Sequence, residues 1–109
     1  NSASGSYGEL YEAFIPDRLA TVSQKAADLG TKYTLLSRVA YWMYEREVDS
    51  LTRDDMRAVC EDYFKEYRMH VDSATLVENL LFAQILLFAD SHLHFKYRYY
   101  YPFFVARYL

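Results

Sequence analysis

Three long stretches of the chain repeat their apolar residues at steps of three and four, and this period constrains the fold more than any other feature. The stretches cover about residues 33–47, 53–68 and 76–88. A repeat of this kind places apolar side chains on one face of an α-helix, and that face has to be buried. In the third stretch the apolar residues cover more than one face, which favours a central position. The sequence therefore predicts a mainly helical protein.

Local signals predict where these helices begin and end. Thr52 and Asp55 are spaced so that a hydroxyl and a carboxylate can satisfy the free backbone donors of the second helix. Asp72 or Ser73 can cap the third helix in the same way. Residues 28–31 precede the first of these three helices and include Gly30. They predict the end of an earlier helix and a turn, because glycine readily takes the left-handed conformation that ends a helix.

The ends of the chain predict two further helices and a short β element. Apolar residues recur at the helical period from Tyr7 to about Ser23, with a kink or a new helix start at Pro16. Residues 1–7 are predicted to be a flexible lead or a cloning remnant. Near 92–97 the apolar pattern alternates, which predicts at most a short strand or hairpin. Pro102 fits the first turn of a closing helix, so we expect about five helices in a single compact bundle over residues 8–109.

Composition excludes several classes of protein. The chain has 109 residues, a net charge of −3 and a hydrophobic fraction of 52%, so it is long enough and apolar enough for one buried core. No apolar run reaches the roughly 18–20 residues that cross a bilayer, which predicts no membrane partner. The acidic balance argues against a general affinity for nucleic acid. With a single cysteine the chain cannot form an internal disulfide, and we expect a cytoplasmic location.

The residues that could form a metal site, a nucleophile or a phosphate-binding loop are better explained by structural roles. His92 and His94 could form part of a zinc site, but a nearby third ligand is missing and a solvated strand edge explains them better. Cys60 lies on an apolar stripe, where a cysteine is usually a core residue. The three glycines do not form a phosphate-binding loop of the GxxxxGK[ST] type. We therefore predict no catalytic residue, no metal site and no enzymatic activity in this chain.

The last fifteen residues, FKYRYYYPFFVARYL, contain eight aromatic side chains. Aromatic residues interleaved with Lys96, Arg98 and Arg107 could stack on the bases of a single-stranded nucleic acid. They also recur at helical steps, and this pattern favours burial against the domain itself or against a neighbouring one. We expect the segment to be part of a larger protein in which this aromatic surface is covered.

The order of the segments LLSRVAYWMYE, LTRDDM, LVENLLFAQILL and HFKYRYYYPFFVARYL resembles the winged-helix segment of bacterial STAND-class signalling NTPases, which include the NACHT proteins. In that family the closing motif has the form F-x-H-x-x-F-x-E-Y-F-A-A-x-x-L. Phe95 to Leu109 match its aromatic, small and leucine positions without a gap. Two departures are Tyr97 in place of the family's phosphate-sensing histidine and Pro102 in place of its acidic residue.

The resemblance implies a winged-helix-like regulatory domain that packs on a nucleotide-binding core and relays its state to neighbouring domains. ATP or ADP would then bind to the parent protein, with no cofactor held by this segment alone. Lys96, Tyr97 or Arg98 would sense the nucleotide phosphates. The nucleotide-binding and sensor domains of the parent chain would be the partners, with homo-oligomerisation as a further expectation. The predicted interface consists of Tyr99, Tyr100, Tyr101, Phe103, Phe104, Arg107 and Tyr108.

Two other functions stay open at the level of the sequence. A winged-helix domain can bind nucleic acid, although the helix over 53–68 carries at least as many acidic as basic residues. A free-standing helical module could instead use its aromatic face to dimerise.

Overall fold

The computed structural model describes residues 29–109, which form four α-helices and one β-hairpin. The elements, in chain order, are α1 (Leu29–Arg46), α2 (Arg53–Glu66), α3 (Ser73–Phe82), β1 (Leu86–Ala89), β2 (His92–Phe95) and α4 (Tyr100–Tyr108). The prediction of a mainly helical domain with a short hairpin is confirmed. The predicted lead over 1–7 and the kinked helix over 7–23 lie outside the described residues.

The first helix begins four residues before the predicted start at residue 33. The stop and turn expected at residues 28–31 is wrong, because Leu29, Gly30 and Thr31 all belong to α1 and Gly30 does not have a positive φ. The hydroxyl of Thr34 donates to the Gly30 carbonyl at 3.0 Å. Glycine weakens a helix by about 1 kcal/mol in its interior, and here it occupies only the first turn of a helix with a long buried face.

Both helix caps that the sequence predicts are present. At the start of α2, the Asp55 N–H donates to the Thr52 hydroxyl at 3.0 Å and the Thr52 N–H donates to the Asp55 carboxylate at 3.1 Å. This reciprocal pair is a capping box. At the start of α3, the Asp72 carboxylate accepts from the Thr75 hydroxyl and from the Thr75 N–H, the latter at 3.2 Å, and these two bonds lower the pKa of Asp72.

The third helix is shorter than the periodicity predicts. It ends at Phe82, and residues 86–89 form β1 and do not continue the helix to residue 88. Gln84 takes a left-handed conformation with φ 61°. Its N–H donates to the Leu81 carbonyl and the Ile85 N–H donates to the Leu80 carbonyl, which together form a Schellman motif. The chain therefore leaves the helix without a glycine and enters the strand directly.

The hairpin is closed by Asp90 and Ser91, which both have positive φ, as a type I′ turn requires. Its strands are antiparallel, with Leu86 opposite Phe95 and Ala89 opposite His92. On the other edge of β2, Leu93 forms a bridge with Leu51, which lies between α1 and α2. The hairpin is thereby attached to the link between the first two helices.

One core joins all of these elements, and α4 closes it by packing along α1. Phe104 and Tyr100 are among the largest fully buried side chains. The ring centroid of Phe104 lies 5.8 Å from that of Tyr33 in α1 and 5.7 Å from that of Phe95 in β2. Since α4 begins directly after β2, this packing fixes the connecting residues 96–99 against the mouth of the hairpin.

Candidate functional site

A groove among the described residues lies where the hairpin meets the start of α4 and the end of α1. Its volume is about 740 Å³. The lining comes from four places along the chain, namely the end of α1 with the link that follows it, β1 with its turn, the end of β2, and the segment leading into α4. The lining residues are Met43, Val48, Asp49, Leu87, Ala89, Asp90, His94, Phe95, Lys96, Tyr97, Arg98, Tyr99 and Tyr101.

The three residues that the resemblance marks for phosphate sensing all line this groove. The Lys96 N–H donates to the Ile85 carbonyl at 2.8 Å, which fixes the backbone at the open end of the hairpin. Tyr97 packs edge-on against the buried Tyr100, with 5.4 Å between their ring centroids, and the Lys96 ammonium lies 6.0 Å from the Tyr97 ring centroid. Lys96, Tyr97 and Arg98 therefore stand together beside the first turn of α4.

The groove carries charges of both signs. Lys96 and Arg98 supply two cations, whereas Asp49 and Asp90 supply carboxylates from the α1–α2 link and from the hairpin turn. Burial raises the pKa of the Tyr101 phenol, with a smaller contribution from Tyr44, so this side chain of the lining is neutral. The mixture favours a ligand or a surface that has both an anionic group and donors for the two carboxylates.

The seven predicted interface residues divide into two groups. Tyr100 and Phe104 are 1% and 0% exposed, because they fill the space between α4, α1 and the hairpin. These two positions are therefore corrected from interface to core. Tyr99 and Tyr108 are exposed, Tyr101 and Phe103 are partly buried, and Arg107 places its guanidinium 4.6 Å from the ring centroid of Tyr33.

The two histidines of β2 bind backbone groups of the hairpin. His92 donates from Nδ1 to the Asp90 carbonyl at 2.8 Å, and His94 donates from Nε2 to the Ala89 carbonyl at 3.2 Å. Each ring thus commits one nitrogen to the hairpin. Within residues 29–109, no group of three His, Cys, Asp or Glu side chains is placed to hold a metal ion.

Cys60 is fully buried in the core, as the apolar stripe predicts. Burial raises the pKa of its thiol to about 12, and the nearby Glu61 contributes in the same direction. A nucleophilic cysteine requires a lowered pKa and some exposure. Cys60 therefore functions as a core residue.

Sequence reasoning missed the part of the groove that comes from outside the closing motif. Met43, Val48 and Asp49 belong to the end of α1 and its link, and Leu87 and Ala89 belong to β1, which the sequence predicts to be helical as far as residue 88. The Leu51–Leu93 bridge brings that link to the hairpin. No local pattern predicts a bridge between residues that are so far apart in the sequence.

A comparison with known protein families gives a match to part of the chain. The family model described as Novel STAND NTPase 4 matches residues 49–105, from the α1–α2 link to the second half of α4. The match defines a segment related to the STAND NTPases, as the closing motif indicated. Because it covers more than half of the chain, the chain belongs to the Novel STAND NTPase 4 family.

Two other searches add no relative. Neither the curated proteins nor the solved structures include a significant match to the chain. Across the part of the chain that the structure describes, no helix is both long and apolar enough to cross a membrane.

Proposed function

We propose that this chain is the non-catalytic regulatory domain of a bacterial, cytoplasmic STAND signalling NTPase, which packs on the nucleotide-binding core and relays its nucleotide state to neighbouring domains. Family membership supports the association with a STAND NTPase. The sequence has only three glycines and no GxxxxGK[ST] loop, so a nucleotide-binding core would have to be supplied by another part of the parent protein.

The order of the elements supports a winged-helix assignment. Three helices precede a β-hairpin, and Leu51, between the first two helices, adds a one-residue bridge to the hairpin edge. In a winged helix the hairpin is the wing, and a short strand after the first helix pairs with it. We therefore assign β1 and β2 as the wing and α4 as the helix that leads to the following domain.

The observation that carries the proposal is the position of Lys96, Tyr97 and Arg98 in one groove beside the first turn of α4. Arginine and lysine side chains bind phosphate through charge-assisted hydrogen bonds. In this interpretation Lys96 and Arg98 take over the phosphate contact of the family's histidine, while Tyr97 offers one hydroxyl donor. A nucleotide held by the core would complete the site.

The rate of ADP release from the parent NTPase tests this proposal. We expect the double variant Lys96→Gln/Arg98→Gln to release a fluorescent ADP analogue about tenfold faster or more, because each lost charge-assisted bond weakens phosphate binding. The matched control is Arg46→Gln. The Arg46 guanidinium lies 4.2 Å from the Trp42 ring centroid and does not line the groove.

Equal release rates for the double variant and for Arg46→Gln would contradict phosphate contact by this groove. If the double variant then still showed nucleotide-dependent changes in domain packing, the relay role would have to rest on the interface alone. That interface consists of Tyr99, Tyr101, Phe103, Arg107 and Tyr108, since Tyr100 and Phe104 are buried.

The structure gives a physical argument against nucleic-acid binding. In a helix-turn-helix arrangement the second helix of the motif enters the major groove, and here that helix is α3. Its sequence, SATLVENLLF, has no lysine or arginine and includes Glu78. The wing turn adds Asp90. A salt-sensitive, micromolar gel shift of duplex DNA would reverse this conclusion.

Exposed aromatic residues give some support to a dimerisation module. Tyr44 and Tyr99 are more than half exposed, and Tyr97 beside the groove is more than a third exposed. Light scattering separates the two functions, because a dimerisation module forms a defined dimer on its own. A regulatory domain of the proposed type is a monomer unless its neighbours or nucleotide are present.

A further inference from the structure

The groove that contains Lys96, Tyr97 and Arg98 also contains two carboxylates that the proposed phosphate contact does not use. Asp49 reaches it from the α1–α2 link, and Asp90 reaches it from the hairpin turn. Both are exposed residues. A carboxylate beside a bound phosphate is unfavourable, because like charges repel each other. These two side chains therefore affect which anions the groove can bind.

The four charged groups of the groove are not neutralised by ion pairs. Among residues 29–109 the ion pairs join Arg38 to Glu66, Arg53 to Glu78 and Arg57 to Asp54. Neither the two cations nor the two carboxylates of the groove take part in any of them. An anionic ligand can therefore bind to the cations, and it then meets two carboxylates that no cation compensates.

Backbone hydrogen bonds keep both carboxylates at the groove. Asp49 lies two residues before Leu51, whose N–H donates to the Leu93 carbonyl at 3.1 Å. Asp90 belongs to the hairpin turn, and its carbonyl accepts from Nδ1 of His92 at 2.8 Å. Neither residue can move away from the groove without loss of these contacts.

The groove is small enough for all four charges to act on one ligand. A sphere with its volume of about 740 Å³ is about 11 Å across, close to the Debye length of roughly 8–10 Å at 0.1–0.15 M salt. Screening therefore does not isolate the carboxylates from a phosphate bound at Lys96 and Arg98. Apart from His94, the two cations and two carboxylates of the lining sum to zero charge.

We infer that Asp49 and Asp90 determine how many phosphate groups the groove accepts, and that they favour a shorter phosphate chain over a longer one. The inference rests on the proposed phosphate contact of Lys96 and Arg98. A purely cationic groove binds a phosphate chain more tightly as its negative charge increases. Here two carboxylates repel each added phosphate, so the affinity stops rising. The nucleotide class that fits this groove is a nucleoside diphosphate and not a triphosphate.

Titration of the full ¹⁵N-labelled chain, followed by NMR on the backbone amides of Lys96 and Arg98, tests the inference. The probes are pyrophosphate and tripolyphosphate at constant ionic strength. EDTA removes divalent cations, and a pH of about 8 keeps histidine neutral. We expect the wild type to bind pyrophosphate at least as tightly as tripolyphosphate. The double variant Asp49→Asn/Asp90→Asn should bind tripolyphosphate about tenfold more tightly than pyrophosphate, because the repulsion is removed.

The matched control is Glu45→Gln/Asp62→Asn, which removes the same amount of charge at exposed positions outside the groove. Its preference between the two probes should equal that of the wild type. Asparagine is compatible with the positive φ of residue 90, so the hairpin turn is kept in the double variant.

Two results would overturn the inference and leave the phosphate contact in place. One is a wild-type affinity that rises from pyrophosphate to tripolyphosphate as steeply as in Asp49→Asn/Asp90→Asn. The other is the same gain in the control variant, which would assign the effect to net charge. The absence of a saturable shift in both the wild type and the double variant would instead remove the phosphate contact itself, and with it both proposals. The two failures are therefore distinguishable.

Discussion

The buried thiol of Cys60 couples the stability of the fold to pH. Its pKa rises from an ordinary value of 9.0 to about 12 in the native state, chiefly because burial disfavours the thiolate. Between these values the unfolded chain has lost the proton and the native chain has kept it, so stability falls as pH rises. Relative to Cys60→Ala, the wild-type free energy of unfolding should decrease above pH 9 by up to about 1.4 kcal/mol per pH unit.

Urea unfolding of both chains between pH 8 and 10.5 provides the measurement. The tyrosines titrate in both proteins, so the difference between the two curves isolates the thiol. Parallel curves would show that the native thiol ionises as readily as the unfolded one.

Thr52 provides a second test at a single residue, because its hydroxyl accepts from the Asp55 N–H at 3.0 Å in the capping box of α2. Thr52→Ala should lower the free energy of unfolding by about 1 kcal/mol. Thr52→Ser keeps the acceptor and should lose much less. Chemical denaturation monitored by Trp42 fluorescence checks both, and equal losses in the two variants would rule out a contribution from the cap.

The end of α3 is the element that the sequence could not locate. The segment LLFAQILLF keeps its apolar character across the boundary, and a short apolar run fits a buried helix or a buried strand equally well. The signal that ends the helix is a left-handed Gln84, where a glycine would have marked the position in the sequence. Thr52 and Asp72, by contrast, were identified because a cap depends only on residues three positions apart.

The difference between local and long-range signals also explains which residues of the candidate site could be predicted from the sequence. Lys96, Tyr97 and Arg98 adjoin one another in sequence and could be named in advance. Asp49 reaches the groove only through the pairing of Leu51 with Leu93, which is a long-range contact. Local patterns thus identify the half of the groove that belongs to one segment, and the other half depends on tertiary packing.

Gln84 gives a prediction at the level of the element, because non-glycine residues are disfavoured at positive φ. Gln84→Gly should raise the free energy of unfolding by roughly 0.5–1 kcal/mol. Gln84→Val should lower it, since a β-branched residue fits this conformation poorly. Both chains can be compared by thermal unfolding with Gln84→Ala as the reference. A destabilised glycine variant would mean that the Gln84 side chain itself contributes to the fold.

At the scale of the whole molecule, the closing aromatic segment serves two purposes. One set of its side chains, including Tyr100 and Phe104, packs between α1 and the hairpin and completes the core. Another set, including Tyr99 and Tyr108, stays at the surface. Tyr100 and Phe104 are four positions apart and share the buried face of α4, whereas Tyr99 precedes the helix and Tyr108 is its last residue. The dense run of aromatic residues is therefore explained only in part by an interface.

The variants Phe104→Ala and Tyr99→Ala test the core role and the surface role of this segment separately. Phe104 is 0% exposed and contacts Tyr33, Phe95 and Phe103, so its removal leaves a cavity where α4, α1 and β2 meet. We expect Phe104→Ala to lower the free energy of unfolding by about 3–5 kcal/mol. Tyr99 is 57% exposed, and Tyr99→Ala should change the free energy by no more than about 0.5 kcal/mol.

Urea denaturation of both variants, followed by Trp42 fluorescence, provides the stability measurement. The second readout tests the proposed function and is the binding of each folded variant to the nucleotide-binding core of the proposed parent NTPase. Tyr99→Ala should weaken that binding while leaving the fold intact, because its effect is confined to the surface. If Tyr99→Ala bound the core as tightly as the wild type, the surface set would have no part in docking, and the aromatic residues of this segment would matter for the core alone.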